Sequence, residues 1–191
     1  MHLDIGTGDG TFVYRSARAD PRTFFIGVDA NRDGLIDVSR RAAAKPARGG
    51  VDNTLFVHAN LEQLPHALDG LASSLSVLLP WGSLLRAVAL PEVEVLHRLR
   101  RLCRATAKVK VVIGFDAAHD QRTFEALGIP PLTLEHLAGP GVEGFARAGF
   151  EIKARIAQTE EIAAWPTTWA KKLIFGGTAR RFFVLEGRAG P

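Results

Sequence analysis

Short apolar runs alternate with amphipathic stretches along most of the 191-residue chain. The runs are rich in Val, Ile, Leu and Phe, which predicts strands, whereas the stretches between them repeat apolar positions at helical spacing. Strands and helices that alternate in this way indicate a mostly parallel sheet with helices on both faces. The seven predicted strands are His2–Ile5, Phe24–Val28, Thr54–His58, Leu75–Leu79, Val109–Phe115, Glu151–Ile156 and Arg181–Glu186.

The helical stretches lie between these strands and end near Pro or Gly, as helices commonly do. The segment between strands six and seven is long for a simple connection. We therefore predict one domain over residues 1–191, with a substrate-recognition insertion at about 157–180. The predicted helices are Thr11–Ala19, Arg32–Ala44, Leu84–Ala105 with an interruption near Pro91, Gln121–Leu127 and Val142–Ala148.

Composition narrows the possible cellular location and binding partners of this domain. Cys103 is the one cysteine, so we expect no disulfide framework and a reducing, cytoplasmic location. The six histidines are scattered without metal-ligand spacing, and no apolar run is long enough to cross a bilayer. We expect neither a metal nor a membrane partner. The net charge of +4 and the pI of about 9.6 permit a nucleic-acid partner.

The turn after the first strand, DIGTGDG, combines glycines with carboxylates. Gly6 and Gly8 permit close backbone approach to a ligand, as in dinucleotide-binding turns. Asp4 and Asp9, however, would repel a pyrophosphate by several kcal/mol at about 4 Å in a modest effective dielectric. The same carboxylates favour a cation. S-adenosylmethionine (SAM) carries a sulfonium and an ammonium group and has no phosphate, so this turn predicts a SAM site.

Two further polar positions follow the next two strands. Asp29 ends the second strand about twenty residues beyond the glycines, where a carboxylate can bind both ribose hydroxyls of an adenosine. Glu62 follows the third strand, and Asn60 or Leu61 could meet the adenine ring there. A single acidic residue after a strand is often only a cap, but the ordered set is more specific for SAM.

The fourth strand ends in Leu79-Pro80-Trp81-Gly82, which keeps an aromatic residue but lacks the polar residue that amine methyltransferases carry in this place. A flat acceptor with a ring nitrogen, such as adenine N1, fits this pattern because its lone pair needs no general base. Catalysis would then consist of positioning. Trp169, or the less favoured Trp165, could stack on the second face of the base, although both Trp81 and Trp169 could equally be core residues.

Basic residues fall into two groups that flank this predicted base pocket. Such runs are often solvated helix faces, but here they suggest contacts with nucleic-acid phosphates. The first group comprises Arg40, Arg41, Lys45 and Arg48, and the second comprises Lys171, Lys172, Arg180 and Arg181.

Several of these stretches together resemble the aminoglycoside-resistance methyltransferases that modify N1 of adenine 1408 in 16S rRNA. The resemblance covers essentially the whole chain and is carried by DIGTGDG, FFIGVDANRD, LEQLP, KPARGG, LLPWGSLL and TTWAKKLIFG. It implies a class I SAM-dependent, Rossmann-like fold, a monomer, and the small ribosomal subunit as partner. The family usually begins with a β-hairpin ahead of strand one, and we expect such an extension to precede the printed sequence.

The resemblance also implies roles for individual residues. Trp81 and Trp169 would sandwich the flipped adenine, with Pro80 beside them. The residues around SAM would be Asp4, Gly6, Gly8, Asp29, Asn60, Glu62, Pro80 and Thr167. The residues that dock rRNA phosphates would be Arg40, Arg41, Lys45, Arg48, Lys171, Lys172 and Arg180.

Three other functions remain open from the sequence. A tRNA methyltransferase would share the SAM pocket and differ in its docking surface. A small-molecule methyltransferase would have incidental basic clusters. A non-catalytic RNA-binding factor would retain the fold without binding SAM.

Overall fold

Seven strands form one sheet in the computed structural model, which describes residues 1–163, 165 and 180–191. They are β1 (His2–Ile5), β2 (Phe25–Asp29), β3 (Thr54–His58), β4 (Ala72–Leu78), β5 (Cys103–Phe115), β6 (Phe150–Ile156) and β7 (Arg181–Ala189). Their order across the sheet is β3-β2-β1-β4-β5-β7-β6. The first five strands are parallel to one another, and β7 runs antiparallel to both β5 and β6.

Helices cover both faces of this sheet. On one face, Val13 and Ala17 pack with Phe25 of β2. On the other face, Leu3 and further core side chains of the parallel strands pack with Leu85, Leu96 and other apolar residues of the helices. The helices are α1 (Thr11–Ala19), α2 (Arg32–Ala42), α3 (Gly82–Ala89), α4 (Val93–Leu102), α5 (Gln121–Ala126), α6 (Leu134–His136), α7 (Val142–Arg147) and α8 (Thr159–Ala163).

The predicted fold class, a Rossmann-like sheet of seven mostly parallel strands between helices, is confirmed. The largest difference lies at residues 103–105, which were predicted to end a helix and instead begin β5. Cys103 pairs with Ala72 of β4 across an irregularity in register, and this pairing lengthens both strands. Arg104 and Ala105 are exposed, so the apolar alternation that marks a half-buried strand is absent there.

The topology determines where a ligand can bind. β1 lies between β2 and β4. The chain adds β2 and β3 on one side of β1 and then adds β4 and β5 on the other side. Parallel sheets bind ligands in the crevice at the carboxyl ends of such strands. In this chain the loops after β1, β2, β3 and β4 meet at that edge.

Candidate active site

A cleft of about 290 Å³ opens at the carboxyl ends of the parallel strands. Loops from four strands line it: the glycine turn after β1, Asp29 at the end of β2, the turn after β3, and the segment after β4. The structure brings together eight of the residues predicted from the sequence, namely Asp4, Gly6, Gly8, Asp29, Asn60, Glu62, Pro80 and Trp81. Thr167, Trp169, Lys171 and Lys172 lie outside the described residues.

The charge of the cleft has one sign. Among the described residues, five carboxylates and no Lys, Arg or His side chain line it. Carboxylates grouped around one cavity attract a cation and repel a phosphate, more strongly as water is excluded. The five are Asp4, Asp9, Asp29, Glu62 and Glu92.

The glycine turn brings bare backbone to the wall of the cleft. Gly6 has a φ of +74°, and a Cβ there would lie 2.7 Å from the Leu84 side chain. Gly8 has a φ of +63°. The N–H groups of Gly6 and Thr7 both donate to the Val28 carbonyl, which ties the turn to β2. Side chains at the two glycines would strain this turn and narrow the cleft.

Asp29 connects the second strand to the glycine turn. One carboxylate oxygen accepts a hydrogen bond from the Gly8 N–H at 2.7 Å, and the other accepts from the Asn31 N–H at 2.8 Å. Each oxygen keeps a second lone pair, so the carboxylate can still accept hydroxyl groups from a ligand. The backbone contacts fix the position of Asp29 before any ligand binds.

Asp4 lies at the floor of the cleft and is 2% exposed. Burial raises the pKa of its carboxyl group to about 6, against the opposing effect of a hydrogen bond from Ser76; the nearby Asp29 charge raises the pKa further. A buried carboxylate gains from a cationic ligand because the ligand replaces the hydration that burial removed.

The segment after β4 leaves the sheet through a strained turn. Leu79 has a φ of +53°, which is rare for a bulky residue and costs on the order of 1–3 kcal/mol. Its N–H donates to the Val112 carbonyl at 2.8 Å and holds the turn in place. Pro80 is buried, and Trp81 follows with 42% of its surface exposed. The turn therefore presents an indole at the rim of the cleft.

Arg180 lies behind this indole rather than on the surface. It lines a small depression with Pro80 and Trp81, and its guanidinium pairs with the Asp120 carboxylate. The side chains of the pair are only 6% and 5% exposed. This placement differs from the expected surface contact because Asp120 neutralises the guanidinium. A contact between Arg180 and rRNA phosphate stays a prediction.

The first basic group forms one exposed surface. Arg40, Arg41, Lys45 and Arg48 are all exposed. The Lys45–Gly50 loop is held against α1 by the Tyr14 hydroxyl, which donates to the Gly49 carbonyl at 2.6 Å. The Arg41 and Arg18 guanidiniums lie 4.7 Å and 5.9 Å from the centre of the Tyr14 ring. Arg18 of α1 is therefore a further basic residue beside the first basic group, which was predicted from α2 and the loop that follows it.

Three neighbours of the site were missed by the sequence analysis. Asp120 had only a weak signal, since it is an acidic residue in the loop after β5, directly before α5 begins. Ser76 and Arg18 had none, because a serine within a strand and an arginine on a helix are common. Trp165, the less favoured stacking candidate, packs against the cluster around Leu79 and Val112 instead.

Comparison with known proteins places the chain in a family. The sequence profile of a family described as "NpmA: 16S rRNA (adenine(1408)-N(1))-methyltransferase" matches residues 1–188. The chain belongs to this family. A 16S rRNA (adenine(1408)-N(1))-methyltransferase from Escherichia coli is 33% identical over 98% of this chain and 86% of its own length.

Solved structures of 16S rRNA methyltransferases agree with this membership. The crystal structure of the 16S rRNA methyltransferase KamB superposes with a TM-score of 0.88 at 34% identity, and the match covers all of this chain and 87% of KamB. A variant of the 16S rRNA (adenine(1408)-N(1))-methyltransferase from Catenulisporales acidiphilia, crystallised with its cosubstrate SAM, superposes with a TM-score of 0.88 at 31% identity. The match covers 100% of this chain and 85% of that protein. The family resemblance inferred from the motifs is confirmed.

In the part of the chain that the structure describes, no group of three or more His, Cys, Asp or Glu side chains could hold a metal ion. No helix within the same residues is both long and apolar enough to span a membrane.

Proposed function

We propose that the chain transfers a methyl group from SAM to N1 of adenine 1408 in the 16S rRNA of the small ribosomal subunit, and that this methylation confers aminoglycoside resistance. One observation carries the proposal: a cleft lined by five carboxylates and no basic side chain among the described residues ends at an exposed indole. A cationic donor and a flat acceptor fit those two features. Membership of the family supports the target position.

The donor side of the cleft fits SAM. When bound, SAM supplies an electrophilic methyl group on a positively charged sulfur. Asp29 is placed to accept the ribose hydroxyls, and Asp4 to face the ammonium group. Gly6 and Gly8 let the backbone approach the ligand, since neither adds a Cβ to the wall. Asn60 and Glu62 lie in the loop that would cover the adenine end, and Thr167 would complete the site.

The acceptor side needs positioning rather than a base. Adenine N1 has a free lone pair, so it would form a bond to the methyl carbon while the carbon–sulfur bond breaks, S-adenosyl-L-homocysteine leaves, and no proton is released at N1. Trp81 would stack on one face of the flipped adenine and Trp169 on the other, each contributing about 1–3 kcal/mol. Extruding the base costs a few kcal/mol. The buried Pro80 holds Trp81 at the rim, so the lone pair meets the methyl group in a fixed orientation.

The docking side would contact rRNA phosphates. Arg40, Arg41, Lys45 and Arg48 form an exposed basic surface, and Lys171 and Lys172 would extend docking beside the base pocket. Contacts of this kind orient the enzyme on the subunit, whereas the pocket selects the base. Arg180 would help to hold the distorted backbone only if phosphate competes with Asp120 for its guanidinium.

A methyl-transfer assay tests the proposal. The purified chain is incubated with tritium-labelled SAM and, in separate reactions, intact small subunits, tRNA or no RNA. We expect label in the 16S rRNA of the small subunits only. Label in tRNA alone would make the chain a tRNA methyltransferase. Absence of SAM binding in calorimetry would leave a non-catalytic RNA-binding protein.

A further inference from the structure

A line of buried and partly buried polar side chains runs along one face of the sheet, across β1 and β4, from the floor of the candidate SAM cleft. Ser76 Oγ donates to Asp4 Oδ1 at 2.5 Å, and the same hydroxyl lies 2.9 Å from His2 Nε2. The other ring nitrogen, Nδ1, lies 2.8 Å from Ser74 Oγ. Asp4 lines the first cleft, whereas His2, Ser74 and Ser76 line a second cleft on the α1 side of the sheet. This line of contacts therefore connects a residue of the first cleft with residues of the second.

We propose that Ser76 and His2 are positioning residues for methyl-donor binding, because they fix the Asp4 carboxylate as a hydrogen-bond acceptor that faces the cleft. The inference rests on the proposed SAM site and identifies what holds one of its carboxylates. An ionised carboxylate can only accept, so Ser76 must donate to it. The Ser76 oxygen then accepts from His2 Nε2–H, and His2 Nδ1 accepts from the Ser74 hydroxyl. This order assigns one tautomer to a neutral His2.

The surroundings of His2 keep its ring neutral. Burial lowers the pKa of His2 to about 4. Its ring packs edge-on against Phe12 of α1 and at a tilt against Phe25 of β2. Among the described residues, the other charged groups that line the second cleft are Lys108, Lys110 and Glu186, and Lys110 pairs with Glu186 at 3.4 Å. A neutral ring between two hydroxyls can donate through one nitrogen only.

Protonation of Asp4 reverses the donor and acceptor roles along this line of hydrogen bonds. A protonated Asp4 donates to Ser76, which donates to His2 Nε2, and His2 then carries its proton on Nδ1 and donates to Ser74. The Asp29 carboxylate is the nearby charge that favours this protonated state. Because a cationic donor prefers the ionised carboxylate, SAM binding favours the first direction of these hydrogen bonds, in which Ser76 donates to Asp4.

Calorimetric SAM titrations from pH 5 to pH 8 test the proposal on matched variants. Ser76→Ala removes the donor to Asp4, so we expect SAM affinity at pH 7 to fall about tenfold or more and the midpoint of its pH dependence to rise. Ser76→Thr keeps the hydroxyl and should restore both. Ser73→Ala is the control in the same strand, because the Ser73 hydroxyl donates to the Met1 carbonyl and lies outside this line; it should change affinity by no more than about threefold. Equal losses in Ser73→Ala and Ser76→Ala would overturn the proposal.

Nitrogen-15 spectra of the His2 ring test the same proposal in the unmodified protein. We expect the Nε2–H tautomer at pH 8 and the Nδ1–H tautomer once Asp4 is protonated. The Nδ1–H tautomer at pH 8 would overturn the relay even if Ser76→Ala failed to fold. Failure of the wild-type protein to bind SAM would overturn the proposed function instead, so the two failures are distinguishable.

Discussion

The Asp29 carboxylate accepts a hydrogen bond from the Gly8 N–H at 2.7 Å, so the end of the second strand holds the glycine turn that follows the first. The same side chain is the proposed ribose acceptor. One residue therefore shapes the cleft and contacts the ligand, and the two roles can be separated by substitution.

Asp29→Ala should weaken SAM binding by about 10-fold to 100-fold, because it removes hydrogen bonds to a charged acceptor and releases the Gly8 N–H. Asp29→Asn keeps one acceptor oxygen for Gly8 and should preserve the thermal stability better than Asp29→Ala. Calorimetric titration with SAM and thermal melting give the two readouts. Unchanged SAM affinity in Asp29→Ala would remove this residue from the site.

Trp81→Ala should abolish methylation of small subunits while SAM affinity stays within about threefold of wild type, since the exposed indole would stack on the base. Trp81→Phe should retain part of the activity because it keeps an aromatic face. Trp169→Ala should behave like Trp81→Ala. Methylation rates and SAM affinities are measured on the same preparations. Near-normal turnover in both alanine variants would contradict the two-sided stacking.

Reversing charge at Lys45 and Arg48 together should weaken binding to small subunits most at low salt and flatten the dependence of affinity on salt, because phosphate contacts release counterions. The matched control is Arg104→Glu with Arg147→Glu, which makes the same change in net charge at two other exposed positions. Binding is measured by filter retention at several salt concentrations. An equal loss in both double variants would indicate a general charge effect.

Asp4→Asn should stabilise the ligand-free protein at neutral pH and eliminate SAM binding. The folded protein holds the Asp4 proton with a pKa of about 6, above the ordinary 3.8. The stability of the wild type therefore falls as pH rises from about 4 to about 6, where burial opposes ionisation. An asparagine stays neutral, so at pH 7.5 the variant should gain on the order of 1–3 kcal/mol.

Urea unfolding of wild type and Asp4→Asn at pH 4 and at pH 7.5 measures this effect. The difference between the two proteins should be small at pH 4 and large at pH 7.5. If the variant is less stable than the wild type at pH 7.5, burial does not raise the pKa of Asp4 in the ligand-free protein.

Asp120→Ala should destabilise the fold by about 3–5 kcal/mol, because it leaves the Arg180 guanidinium buried without its partner. Asp120→Leu combined with Arg180→Leu should recover most of that loss. The control is Asp69→Ala, which breaks an exposed pair with Arg101 and should cost less than about 1 kcal/mol. Denaturant unfolding reports all three, and equal costs at Asp69 and Asp120 would contradict the buried pair.

The candidate SAM cleft could be predicted from the sequence because its carboxylates lie near the ends of strands. Asp4 was predicted from the acidic glycine turn, and Asp29 and Glu62 from their places at the end of the second strand and after the third; the structure brings all three to one cleft. The alternation of strands and helices indicated a parallel sheet, and the carboxyl ends of parallel strands share one edge.

Contacts across the sheet could not be predicted in the same way. Ser76 reaches Asp4 and His2 only because β4 pairs with β1 in one register, and a sequence pattern does not specify which serine faces which carboxylate. Arg180 was predicted to contact rRNA phosphate because it belongs to a basic group beside the predicted base pocket. Its burial depends on Asp120, sixty residues earlier in the chain.

Primer extension on 16S rRNA tests the central claim most directly. Purified small subunits are incubated with the chain and SAM, and reverse transcriptase is then run across the decoding site. Methylation of N1 blocks base pairing, so we expect a SAM-dependent stop next to adenine 1408 that Trp81→Ala removes. Full-length extension through that position, in subunits that have nevertheless accepted label from SAM, would contradict the account.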